Sequence, residues 1–178
     1  MKDPFEGITK NLIIVGTPKC ATNSLEQYLR DRFKGQEVRR IEVIWRGQDG
    51  VDDTVYRFPP DKWQYIITLR DNVERIWSNY HYFQMNDKMS LEDYLKYDHS
   101  EFSTVGIGNP IKQGQYGYWI HFWRKYDPII LTIEDMNELP NFPHLNKTSD
   151  RREYPPITED EEALIISYLS KGVEMTYG

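Results

Sequence analysis

A single cysteine, Cys20, is the only thiol in the 178 residues, so no internal disulfide can form and a reducing compartment is the simplest setting. Long apolar runs are missing too. No stretch approaches the roughly 20 residues of a membrane-spanning helix, and the first residues do not read as a secretion signal. The cytoplasm is therefore the expected location. A basic excess is also absent: 22 Lys and Arg against 28 Asp and Glu leave a formal charge of −6, which argues against nucleic acid as a partner. A local basic pocket for a small polyanion remains compatible with that balance. His99 and His144 stand in no pattern that suggests metal ligation, and no metal is expected. What remains is ordinary globular composition, 39% hydrophobic and 14% aromatic, enough to bury a core without metals or disulfides. Length places residues 1–178 in one domain.

Three short apolar runs, Asn11–Val15, Gln64–Leu69 and Ile129–Ile133, read as buried parallel strands, and Arg39–Trp45 is a weaker fourth. Helical periodicity marks Asn23–Phe33, Asn72–Met85 and Gln115–Tyr126. A last helix over Thr158–Leu169 is announced by Thr158 with Glu161 three residues on. Strands alternating with helices predict an α/β fold, a central parallel sheet flanked by helices, with ligands at the carboxyl ends of its strands. Gly47–Phe58 and Phe102–Gly114 read as loops that would rim the site and shape an acceptor pocket.

The first strand runs into Gly16-Thr17-Pro18-Lys19-Cys20-Ala21-Thr22-Asn23-Ser24. A strand, a tight bend and a helix start present successive backbone N–H groups and the positive end of a helix dipole to an anion. Thr22, Asn23 and Ser24 would add side-chain donors and cap the helix. The Gly-Lys-Ser/Thr ending of an ATP-binding loop is missing, and the lysine arrives early, inside the bend. There Lys19 would neutralise charge on the ligand's terminal group, as magnesium does in NTPases. Glu134-Asp135 is the nearest approach to a metal-holding pair.

A second anion site is suggested where the Gln64–Leu69 strand ends. Asp71 and Glu74 form a capping-box pattern that starts a helix, which leaves Arg70 at the strand's carboxyl end. Ser78 lies about two turns from Asp71, on a side distinct from the stripe of Val73, Ile76, Tyr80 and Phe83. Arg70 by charge and Ser78 by its hydroxyl could grip one phosphate; the competing reading is a strand-end salt bridge and a solvated serine.

With these segments in view the sequence resembles the sulfotransferases that use 3′-phosphoadenosine 5′-phosphosulfate (PAPS). The Gly16–Leu25 stretch is similar to that family's 5′-phosphosulfate loop, and Leu69–Tyr80 to its 3′-phosphate motif. Gly114-Gln115-Tyr116, Trp123 and the strand ending in Glu134-Asp135 are similar to a third segment. Asn146–Pro155 resembles the C-terminal loop of the carbohydrate branch. The resemblance implies a fold related to P-loop kinases and sulfonate transfer from PAPS to a hydroxyl or amine acceptor, with 3′-phosphoadenosine 5′-phosphate (PAP) as product.

It also implies roles. Pro18, Lys19, Cys20, Ala21, Thr22, Asn23 and Ser24 would wrap the 5′ end, with Lys19 on the transferring sulfonate. Arg70 and Ser78 would hold the 3′-phosphate, and Lys147, Ser149, Arg151 and Arg152 would belong to the closing loop, although Asp150-Arg151 stands where the family often has Lys-Gly. The family's catalytic-base motif is absent from Arg39–Gly50, where Glu42 is the best-placed carboxylate and Asp49 the next. His81 is a minor candidate base, His121 and the tryptophans read as core or surface residues, and Cys20 is not expected to be a nucleophile. Two alternatives are a PAP- or PAPS-binding protein that keeps the fold without catalysis, and a small P-loop nucleotide kinase.

Overall fold

The computed structural model describes residues 3–16, 19–41, 47–96, 109–143 and 154–177. Four strands, β1 (Asn11–Gly16), β2 (Val38–Ile41), β3 (Trp63–Leu69) and β4 (Ile129–Thr132), form a parallel sheet in the order β2-β1-β3-β4. Register pairs Gly16 with Thr68 and Thr68 with Leu131, so the carboxyl ends of β1, β3 and β4 are level.

The apolar runs expected to be buried strands are β1, β3 and β4, and the weaker fourth is β2. β4 is one residue shorter than expected, because Thr132 caps a helix that starts at Ile133. Residues 42–46, the remainder of the expected Arg39–Trp45 strand, lie outside the described residues.

The eight described helices are α1 (Thr22–Arg32), α2 (Gly47–Arg57), α3 (Asn72–Tyr82), α4 (Leu91–Lys96), α5 (Pro110–Gln113), α6 (Tyr116–Trp123), α7 (Ile133–Asn137) and α8 (Glu159–Tyr177). Alternation along the strands separates two faces of the sheet. Leu12 and Ile14 join Ile66, Leu131, the α1 residues Leu25, Tyr28 and Leu29, and Met136. Ile13 and Val15 join Tyr65, Ile67, Val51 of α2, and Trp119 and Trp123 of α6. Helices thus cover both faces, as the near-continuous hydrophobicity of the strands requires. Tyr65 shows how tightly: its ring packs on Trp123 and Tyr126, and burial pushes its phenol up to about 12.

The chain divides into two compact units, Met1–Arg70 with Gly117–Asn146 and Asp71–Tyr116 with Lys147–Gly178. The sheet belongs to the first. The second has its own core, in which Ile76, Trp77 and Tyr80 of α3 pack with Leu91, Tyr94 and Leu95 of α4, Ile111 and Ile165.

Four expectations are corrected. Gly47–Phe58 is not a loop: Gly47–Arg57 is helical, with Gly50, Val51 and Thr54 on its buried side. Its two glycines and three aspartates hid this, since those residues favour turns over helix interiors. The end of the second expected loop is also helical, because Asn109 caps α5 by accepting from the N–H groups of Ile111 and Lys112; residues 102–108 are outside the described set. The last helix starts where Thr158 and Glu161 predicted, with their side chains bonded reciprocally to each other's backbone N–H, but continues to Tyr177. α3 by contrast stops at Tyr82, short of Met85, where Gln84 turns left-handed at φ 55°.

Candidate anion-binding site

β1 delivers the chain to Gly16 at the carboxyl edge of the sheet. A Cβ there would lie 2.7 Å from Thr68 Oγ1 and 2.8 Å from Thr22 Cγ2, so only glycine lets the bend sit this close to β3 and α1. Past residues 17 and 18, which include the predicted Pro18 and are not described, Lys19 and Ala21 both adopt positive φ, 67° and 55°. Left-handed backbone at two non-glycine positions costs roughly 1 kcal/mol or more each and recurs at ligand-gripping turns. Cys20 between them is buried and Lys19 half-buried.

Ala21 is the N-cap of α1. It makes no side-chain cap hydrogen bond, and the first turn of α1 holds no acidic residue. The expectation that Thr22, Asn23 and Ser24 cap the helix from outside is therefore corrected. All three lie within its first turn, Thr22 and Ser24 buried and Asn23 exposed. Such a helix start offers neither a side-chain cap at Ala21 nor a first-turn acid to offset its positive dipole end.

Two arginines of this unit reach the same bend. Arg70, directly after β3, donates from Nη1 to the Lys19 carbonyl at 3.2 Å, which ties the second predicted anion contact to the loop holding the first. Arg40, on β2, was not singled out in the sequence. Its Nη1 reaches Thr22 Oγ1 at 3.5 Å, and its Nε is held by Glu26 of α1 at 3.1 Å. Thr68 was also missed. It is fully buried, and its Oγ1 has no hydrogen-bond partner among the described residues, beside Gly16 and one strand-register step from the bend. Only register exposes these two, since neither stands in a motif.

In the second unit, Asp71 caps α3 as its sequence predicts, accepting from the Glu74 N–H at 3.0 Å. Arg75 is fully buried and bonds only neutral acceptors among the described residues: Asn72 Oδ1 at 3.4 Å, Gln113 Oε1 at 3.3 Å and the Pro110 carbonyl at 2.6 Å. Asn72 in turn donates to the Gly114 carbonyl at 2.8 Å. A Cβ on Gly114 would strike Asn72 Oδ1 at 2.5 Å, which explains the glycine of the Gly-x-Tyr segment.

Ser78 is not solvated, which removes the competing reading of a surface serine. Every residue from Arg75 to His81 is buried, and Ser78 is 4% exposed. Its Oγ has no hydrogen-bond partner among the described residues, an arrangement that costs about 1–3 kcal/mol. His81 is likewise buried, with Trp77 at 4.3 Å and Tyr154 stacked at 5.1 Å. Burial holds its pKa below the ordinary imidazole range, against the opposing pull of Glu161 and Asp87.

Of the predicted site residues, Lys19, Cys20, Ala21, Thr22, Asn23, Ser24 and Arg70 share one bend in the first unit, and Ser78 is on α3 in the second. Pro18, Glu42, Lys147, Ser149, Arg151 and Arg152 lie outside the described residues. Asp49 is exposed on the first turn of α2, and His121 is exposed on α6. The four described tryptophans, Trp63, Trp77, Trp119 and Trp123, are all buried, as read from the sequence. Among the described residues no group of three or more His, Cys, Asp or Glu could hold a metal ion, and no helix is long and apolar enough to cross a membrane.

No known family profile matches the chain, and no curated protein matches it by sequence. Among solved structures it is similar to a sulfotransferase from Alicyclobacillus acidocaldarius, with a TM-score of 0.63 across 94% of each chain and 16% identity. So low an identity speaks for architecture alone, and on that ground the chain, with its central parallel sheet flanked by helices, has the sulfotransferase fold.

Proposed function

We propose that residues 1–178 act as one sulfotransferase domain, moving a sulfonate group from PAPS to a hydroxyl or amine acceptor. The observation that carries this reading is the bend after β1. Two left-handed residues and a helix start without an acid or side-chain cap are tied through Lys19 to Arg70. That combination suits a phosphosulfate, which brings its own negative charge to the helix end. Arg70 and Ser78 take the 3′-phosphate that separates PAPS from ATP. The spacing of these two residues in the sequence supports this pairing, as does the partnerless hydroxyl of Ser78.

In this mechanism the acceptor oxygen or nitrogen attacks sulfur in line, while the bond from sulfur to the bridging oxygen of the 5′-phosphate breaks. PAP departs with that bond's electron pair. Lys19 and the N–H groups of the bend stabilise charge on the sulfonate and the leaving oxygen, and orientation by the two anion contacts holds the reacting atoms in line. Glu42 takes the acceptor's proton. A carbohydrate hydroxyl is the first acceptor to test, because Asn146–Pro155 resembles the carbohydrate branch.

Calorimetry with PAP and with ATP–magnesium tests the donor; the expected result is clear preference for PAP, and equal affinity overturns the assignment. Turnover of PAPS against sugars, phenols and lipids then separates an enzyme from a protein that only binds the nucleotide.

A further inference from the structure

Three polar atoms on α3 are buried with no hydrogen-bond partner among the described residues; beside Asn79 Oδ1 these are Ser78 Oγ and His81 Nε2. The latter two stand three residues apart, so the side chains share one face of the helix. His81 is 9% exposed, and aromatic rings fix its plane: Trp77 at 4.3 Å and 68°, Tyr80 at 5.2 Å and 74°, and Tyr154 at 5.1 Å and 30°. Trp77 is itself anchored, its Nε1 donating to the Pro155 carbonyl at 3.1 Å. Packing alone would be served better by phenylalanine, which fills the same space without a sealed ring nitrogen. The placement therefore asks for a polar group that meets both atoms.

Arg75 supplies the one positive charge on α3 that favours an anion. Arg75 lies one turn before Ser78 on the same helix, fully buried and with neutral acceptors only among the described residues. Its charge is thus uncompensated there by a carboxylate. Glu161 of α8 and Asp87 oppose it near His81, which selects a ligand that accepts hydrogen bonds as well as carrying charge. A phosphate monoester has three terminal oxygens to accept from a hydroxyl and an imidazole N–H together.

We propose that Ser78 and His81 together seat a phosphate monoester, and that His81 is a specificity-determining contact for the 3′-phosphate of the nucleotide. This rests on the functional reading above and adds a residue to it.

The test is calorimetry on the full chain with two probes, PAP and 5′-AMP, which lacks the 3′-phosphate. In His81→Phe, which keeps the ring but not the nitrogen, PAP affinity is expected to fall about tenfold or more while 5′-AMP affinity stays within about twofold. The melting temperature should hold or rise, because the partnerless nitrogen is gone. Ser78→Ala should act in the same direction, and the double variant should lose less than the product of the two single losses. Unchanged PAP affinity in His81→Phe overturns the proposal, as does an equal loss for both probes. If wild type binds PAP and Arg70→Ala weakens it while His81→Phe does not, this inference falls and the functional reading stands. If wild type does not bind PAP, both fall. Should His81→Phe not fold, Ser78→Ala with His81→Gln decides by the same two probes.

Discussion

Two strand-to-helix turns leave the carboxyl end of the same sheet and solve the same problem differently. Where β4 enters α7, Thr132 accepts from the Asp135 N–H at 3.1 Å and Asp135 accepts from the Thr132 N–H at 2.8 Å, with Glu134 alongside in the first turn. That turn supplies its own negative charge to the helix start and needs nothing else. Where β1 enters α1, the cap is Ala21 in a left-handed conformation, the first turn has no acid, and Lys19, Arg40 and Arg70 gather around it. A helix end that answers its dipole internally cannot also recruit an anion. On the proposed reading, the difference between the turns, more than the loop sequence itself, marks the β1–α1 turn as the one that takes the ligand.

The most severe way to test that contrast is to remove the cation and leave the turn. Lys19→Ala is expected to lower sulfonate transfer about 10²–10³-fold, the usual range for one preorganised charge-stabilising contact, while PAP affinity changes little. Steady-state turnover with PAPS alongside PAP titration checks both halves. Unchanged turnover would remove Lys19 from the chemistry and leave the turn as a binding element only.

Next in size is the steric condition that makes the bend possible. Gly16→Ala drives a methyl group to 2.7 Å from Thr68 Oγ1 and 2.8 Å from Thr22 Cγ2, both on buried side chains. Overpacking of this kind costs about 1–3 kcal/mol, readable in urea unfolding, and Thr22→Ser in the same chain should restore part of it. Full tolerance of the methyl group would mean that the bend lies farther from β3 than it does here.

The contrast can also be inverted. Ala21→Asp gives the β1–α1 turn a carboxylate of its own, and aspartate tolerates left-handed backbone. PAP affinity should fall about tenfold, which is about 1.4 kcal/mol, with stability held or slightly raised. If PAP binds as before, the positive end of α1 is not where the nucleotide's charge rests.

Much of this was legible in advance, for identifiable reasons. β1 and β3 are buried on both faces, so their composition alone marks them, and the caps of α3 and α8 are spelled by Asp71–Glu74 and Thr158–Glu161. α2 was not legible, because Gly47, Gly50 and its aspartates mimic a loop while its buried side relies on Val51 and Thr54, whose hydroxyl turns inward to the Gly50 carbonyl at 2.7 Å. Lys19 and Arg70 could be found as motif residues. Arg40 and Thr68 could not, since strand register brings them to the bend and no local pattern does. The sequence sets Ser78 on a side distinct from the apolar stripe, and nothing in its pattern shows that this side is buried too. α3 is buried without interruption from Arg75 to His81, which the arginine, serine, asparagine and histidine in that run disguise.

The smallest expected effect sharpens the comparison from its other side. Thr132→Ala removes the capping hydroxyl from the turn that answers its own dipole, and loss of such a cap costs about 1 kcal/mol. In a chain of this size that is a drop in melting temperature of about 2–4 °C. PAP affinity and turnover should not move, because the capping hydrogen bond lost belongs to α7 alone. The pairing with Ala21→Asp gives the result its force: one turn should lose stability and no binding, the other should lose binding and no stability. A Thr132→Ala variant that weakened PAP would show that the two helix starts share a ligand, and that their difference in capping does not sort structure from function.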